Sequence, residues 1–172
     1  MRLLPPLSQQ PVRRFARPEW VLKPGLRYYA AIETEVGRLL LFLFPEHAPR
    51  TVNAFVFLAR HRFYDGLFWH RVVPGYVVQT GDPTGTGEGH AGFFFPLEAG
   101  PGATFDDLGW AGIARRKGDF RGSSQFFLTL APAKKLDCRY TRFGRVVEGR
   151  DLLARISEGD RIARLVILVE EA

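Results

Sequence analysis

Short apolar segments, separated by glycine, proline and charged clusters, run from Tyr28 almost to the C-terminus, and this punctuation limits the fold more than any other feature. YYAAIETEVGRLLLFLF reads as two strands joined near Glu35 to Gly37. LFWHRVV, GYVVQT, LGWAGIAR, SQFFLTL, TRFGRVV and RIARLVILVEE read as further strands. Helical spacing occurs twice. In HAPRTVNAFVFLARHRF, Pro49 suits a first turn, and Val52, Phe55, Val56 and Ala59 share one face. In GRDLLARIS, Leu152, Leu153 and Ile156 predict a second helix facing inward. Strands so scattered, with so few helices, do not fit a βαβ alternation. They fit a closed antiparallel barrel or a sandwich, which both leave few exposed strand edges.

The chain is long enough for one domain with a substantial core and too short to expect two. Residues 1–25 form a basic Pro/Arg-rich extension, flexible or draped on the domain, with Phe15 and Trp20 as candidate anchors. Residues 26–172 form the domain. Of the net charge of +6, four charges (Arg2, Arg13, Arg14, Arg17) lie in the first eighteen residues with no acid among them. Nucleic acid is therefore not expected on the domain, and the arm is the one segment suited to a polyanion. No apolar run approaches the roughly 18 residues of a spanning helix, so no membrane contact is expected. The single cysteine, Cys138, excludes an internal disulfide and fits a reducing, cytoplasmic compartment.

Most familiar chemistries lack their residues. The loop GTGEGHAG places His90 where G-x-G-x-x-G needs its third glycine, so it reads as a turn and not as a phosphate cradle. His47, His61, His70 and His90 show no metal spacing, and no metal or cofactor is expected. Ser123 and Ser124 lack a nucleophile elbow. Asp106 and Asp107 sit in a loop-like stretch where solvation is the simpler role. What stands out is FWHRVVPGYVVQTGDPTGTGEG, in which Arg71 and Gln79 are set among apolar residues with no nucleophile beside them.

That stretch resembles the segment F-x-H-R-V-I-P-G-F-x-x-Q-G-G-D of the cyclophilins, the peptidyl-prolyl cis/trans isomerases. GWAGIARRKGDFRGSSQFFLTL, LDCRYTRFGRVVEG and VNAFVFLARHRFYDGL resemble further blocks of the family, in the right order, and the likeness covers roughly residues 28–170. The loop GDPTGTGEG looks closest to bacterial members. The resemblance implies a mainly β fold: a closed eight-stranded antiparallel barrel capped by two helices. An outer groove would bind proline-containing peptides and unfolded or partly folded proteins. Arg71 and Gln79 take the catalytic positions. Tyr76, Val77, Ile113, Ala114, Arg115, Phe127, Leu136 and Tyr140 take the substrate-binding ones.

Arg71 alone would read as a surface charge, and Val77, Phe126, Phe127 and Leu136 as core. Only the motif separates Phe127, which would face the groove, from Phe126, which would face inward. The departures from the family pattern are Tyr76 for Phe, Val77 and Ile113 at methionine-like positions, and Thr80 after Gln79. Lys135 stands where some members carry a tryptophan that helps bind cyclosporin, so an inhibitor of that type is expected to bind weakly. The loop RRKGDFRGSS has four cations against Asp119, which predicts a preference for acidic residues near the target proline. The competing reading is a proline-peptide-binding adaptor that keeps the groove with little or no isomerase activity.

Overall fold

The computed structural model describes residues 1–172. Its strands are β1 (Arg2–Leu4), β2 (Leu26–Thr34), β3 (Gly37–Leu43), β4 (Arg71–Val73), β5 (Val77–Thr80) and β6 (Phe95–Pro96). They continue with β7 (Trp110–Ile113), β8 (Arg121–Gly122), β9 (Phe126–Thr129), β10 (Arg142–Glu148) and β11 (Ile162–Glu171). One α-helix, α1 (Pro49–Arg60), lies between β3 and β4 with Pro49 in its first turn.

The main sheet has the order β1-β11-β2-β3-β10-β7-β9-β5-β4, antiparallel throughout, and β6 pairs separately with β8. Eight of these strands form a ring. Its seam is not a regular ladder: Phe68 bridges Arg161, the Gly66 N–H donates to the Ile162 carbonyl at 2.7 Å, and the Ile162 N–H donates to that of Leu67 at 2.9 Å. The residues leading into β4 thus meet the start of β11. The ninth strand, β1, lies outside the ring on the other end of β11, with Leu3 opposite Leu168.

Alternation along the strands fills the interior with aromatic rings. Phe55 of α1 lies 5.3 Å from Phe126, 5.2 Å from Phe143 and 5.3 Å from Tyr64, mostly edge-on or tilted. Val52, Phe55, Val56 and Ala59 are all buried, so the apolar stripe of α1 closes over the barrel.

The second predicted helix takes a tighter form. Arg150–Arg155 is a 3₁₀ helix, begun by Gly149 in the left-handed region (φ 85°) and held by i to i+3 bonds such as Leu152 N–H to Gly149 carbonyl at 2.9 Å. Six residues between β10 and a turn leave no room for an α-helix with its own ladder. Leu153 and Ile156 are buried and Leu152 is half-buried.

The N-terminal arm is draped on the domain. Phe15 packs edge-on against Phe57 at 4.8 Å and lies 4.9 Å from His61. The Arg13 guanidinium donates to the carbonyls of Asp65 at 2.7 Å, Arg62 at 3.3 Å and Phe63, so this charge is used on the barrel itself. Trp20 is no anchor: it is 62% exposed, while the neighbouring Val21 N–H donates to Asn53 Oδ1 at 2.7 Å.

Candidate active site

Cross-strand register builds the site. Arg71 on β4 stands opposite Gln79 on β5, Gln79 opposite Phe127 on β9, and Phe127 opposite Gly112 on β7. Residues opposite one another share a face, so these four make one row across the outside of the barrel. Arg71 Nη1 donates to Gln79 Oε1 at 3.3 Å, which aims an exposed guanidinium along the sheet. At the far end, a Cβ on Gly112 would fall on the Phe127 ring. Glycine there lets the ring lie against the strand.

Around Phe127 a second apolar cluster forms outside the barrel: Val77, Phe105, Ala133 and Leu136 are buried with it, and Val73, Tyr76, Trp110 and Tyr140 pack at its margin. It is one wall of a cavity of about 460 Å³ lined by His70, Arg71, Tyr76, Val77, Gln79, Thr86, Gly87, Ala114, Arg115, Phe127, Leu136 and Tyr140. Thus Arg71, Gln79, Tyr76, Val77, Ala114, Arg115, Phe127, Leu136 and Tyr140 come together as a single surface.

Ile113 does not join them. It pairs with Phe126 and belongs to the interior cluster. On β7, Ala111 and Ile113 point inward while Trp110 and Gly112 point outward. The reading of Ile113 as a wall of the proline slot is therefore corrected: it supports the sheet from behind.

Arg115 is held at three points. Its Nε donates to the Arg139 carbonyl at 2.9 Å, its Nη1 donates to the Asp119 carbonyl at 3.2 Å, and its guanidinium lies 4.8 Å from the Tyr140 ring centre. Its own N–H and C=O make no hydrogen bond within the chain, which leaves them open to an extended peptide. Tyr140 stands edge-on to Phe127 at 5.6 Å. Burial pushes the Tyr76 phenol above its ordinary pKa, helped by Tyr140, with Arg71 opposing. The Lys135 ammonium lies 4.3 Å over the Tyr76 ring and covers one end of the rim.

His70, Thr86 and Gly87 also line the cavity, and sequence reasoning passed over them. His70 was legible, since it precedes Arg71 within the same block; neither of its ring nitrogens has a partner in the chain. Thr86 and Gly87 arrive from the glycine loop, and only folding brings them there. A neighbouring polar cavity of about 230 Å³ holds the arginine-rich loop. There Arg116 pairs with Glu88 at 2.7 Å and Arg121 grips Asp119 through two contacts of 3.1 Å, so Glu88 offsets one charge of the expected cationic excess while Arg115 and Lys117 keep no carboxylate partner. Asp106 and Asp107 are not merely solvated either: Asp106 accepts from Trp110 Nε1 at 2.9 Å, and Asp107 pairs with Arg150 at 2.8 Å and Arg145 at 3.2 Å.

An antiparallel barrel with an outer apolar slot, one guanidinium, one carboxamide and unpaired backbone beside them has the architecture of the rotamase class. The family model of the cyclophilin type peptidyl-prolyl cis-trans isomerases matches residues 29–169. The chain belongs to this family, an isomerase family. Peptidyl-prolyl cis-trans isomerase ppi1 of Schizosaccharomyces pombe is 42% identical over 134 residues, 73% of this chain and 82% of that one. The human peptidyl-prolyl cis-trans isomerase-like 1 is 41% identical over 128 residues, 73% of this chain and 76% of that one. A solved cyclophilin type isomerase of Cryptosporidium parvum has a TM-score of 0.77 at 27% identity, covering 83% of this chain and 98% of its own. The same protein was also solved in the presence of the dipeptide Ala-Pro. These relatives are eukaryotic, which corrects the bacterial affinity suggested by one loop.

Proposed function

We propose that the chain catalyses cis/trans isomerisation of X-Pro bonds in this groove, acting on proline-containing peptides and unfolded or partly folded proteins. The reaction breaks no covalent bond. The imide must rotate through a twisted state in which resonance is lost, against about 18–20 kcal/mol, so uncatalysed exchange takes tens of seconds or longer. The groove has to bind the twisted amide better than either planar isomer.

In the twisted state the imide nitrogen regains a lone pair and accepts a hydrogen bond. Arg71, permanently charged and oriented by Gln79, donates it. A charge-assisted hydrogen bond contributes about 1.5–3 kcal/mol, and each 1.36 kcal/mol is roughly tenfold in rate. Arg71 therefore accounts for about one to two powers of ten. Seating the proline ring against Phe127, Val77 and Leu136, and holding the preceding residue on the Arg115 backbone, supplies orientation. The exposed single cysteine suits a reducing compartment such as the cytoplasm. Lys135 over Tyr76 narrows the rim for a cyclosporin-type inhibitor, so titration should show binding weaker than nanomolar.

The observation that carries this reading is the Arg71–Gln79–Phe127 row beside an apolar cavity. NMR exchange spectroscopy on a short X-Pro peptide tests it. Accelerated exchange with the intact protein, largely lost in Arg71→Ala while the peptide still binds, is the expected result. Binding without acceleration by the intact protein would make the groove an adaptor and overturn the enzyme reading.

A further inference from the structure

The glycine loop does more than border the groove. Asp82, only 1% exposed, holds it from inside: Oδ1 accepts from the Thr84 N–H at 2.8 Å and the Thr84 hydroxyl at 2.7 Å, and Oδ2 accepts from the Gly87 and Gly89 N–H groups at 2.6 and 3.1 Å. Burial works to raise its pKa, but the bonds from Thr84, Gly89 and Gly87 outweigh it and hold the carboxyl below its ordinary value. Four donors thus converge on one buried carboxylate, and no counter-charge is paired with it.

The carbonyls of the same two glycines face outward to Gln125. Gln125 Nε2 donates to Gly87 O at 3.0 Å and to Gly89 O at 2.8 Å. Carbonyl oxygens only accept, so they decide which way the Gln125 amide points. Its Oε1 then faces Gln79 and accepts from Gln79 Nε2 at 3.0 Å. That leaves Gln79 Oε1 for Arg71 Nη1 at 3.3 Å. Reversing either amide would set oxygen against oxygen, or an amino group against the guanidinium. The direction of every bond in this chain is inherited from the loop.

We propose that Asp82 is a positioning residue for the isomerisation: by fixing the Gly87 and Gly89 carbonyls it orients Gln125, then Gln79, and so aims Arg71 at the imide nitrogen. This rests on the isomerase reading above. Asp82→Asn keeps the size but offers an amino group to N–H donors. Gly89→Ala is an independent perturbation, because a Cβ there falls on the Asp82 carboxylate without changing any charge.

The experiment measures exchange of an X-Pro peptide with the full chain carrying Asp82→Asn, Gly89→Ala, Gln125→Ala and the pair Asp82→Asn/Gln125→Ala, alongside thermal midpoints and ¹⁵N spectra. The expected result is a roughly tenfold fall in kcat/KM for Asp82→Asn, as for a small misplacement of a reacting group. In the Gln125→Ala background the same change should cost less than about twofold more, since residues acting through one another are not additive. The side-chain amide signals of Gln79 and Gln125 should shift while amides of the barrel interior stay in place. Where Asp82→Asn does not fold, Gly89→Ala carries the same expectation. Fully additive losses, or a folded Asp82 or Gly89 variant with unchanged kcat/KM and unmoved amide signals, would overturn the proposal. A wild-type chain that accelerates nothing would instead overturn the isomerase reading itself, and shows that before any variant is made.

Discussion

Phe126 and Phe127 are neighbours in the chain and lie on opposite sides of one sheet. Phe126 is fully buried and meets Phe55, Tyr64, Phe143 and Trp69 edge-on inside the barrel. Phe127 is 4% exposed, which is hardly different, yet it belongs to an outer cluster of five buried residues against thirty-four inside. Burial does not separate a core ring from a substrate platform. The company it keeps does: Phe126 sees only other packed side chains, while Phe127 borders a cavity with Arg71 and Gln79 along its row.

Substitutions can break that contrast. Phe126→Ala should lower stability by about 3–5 kcal/mol, the usual cost of deleting a buried ring, read from the denaturant midpoint. Phe127→Ala should cut kcat/KM by at least about tenfold through lost seating of the proline ring, with a clearly smaller loss of stability because fewer neighbours surround it. Equal destabilisation by the two would remove the distinction. Gly112→Ala sharpens it further. The added methyl pushes on the Phe127 ring from the strand beneath, so turnover should fall by several-fold, with the midpoint moving less than for Phe126→Ala. Retained wild-type kcat/KM would mean that the ring's seat on β7 does not matter.

The smallest expected effect lies where the arm meets α1. Burial, with Arg60 adding to it and Glu19 opposing, holds the His61 imidazole below its ordinary value, and the Ser8 hydroxyl lies 2.5 Å from its Nδ1. The folded pKa is below the unfolded one, so the unfolded chain takes up the proton first. The contribution is complete above about pH 6.5 and is lost as the pH falls below it toward the folded value. Thermal midpoints between pH 7.5 and 5 should therefore drop more for the wild type than for His61→Gln. Parallel curves would remove His61 from the account.

Legibility followed local chemistry. Pro49 and the α1 stripe, the β2–β3 hairpin and the long β11 were readable because each needs only neighbouring residues. The run WAGI was not readable as to facing, since both of its faces are apolar or glycine, and Ile113 was misplaced for that reason. Arg150–Arg155 has helical spacing, but the length available between fixed ends made it 3₁₀. Gln125, legible only as one letter of the SQFFLTL segment, gained its role from two glycine carbonyls 36 and 38 residues away in sequence.

By itself the sequence determined the strand-rich class, the helix α1, the family blocks and the types of side chain available: one guanidinium and one amide among apolar residues, with no nucleophile. These are matters of residue type and short spacing, which local sterics and hydrophobic periodicity decide. Tertiary structure alone decided that the ring closes through Gly66–Ile162, that β1 adds a ninth strand, that Ile113 faces the interior, and that the loop held by Asp82 reaches Gln79 through Gln125. Each of these depends on which strands pair and in what register, and a shift of one residue in register turns every side chain to the other face.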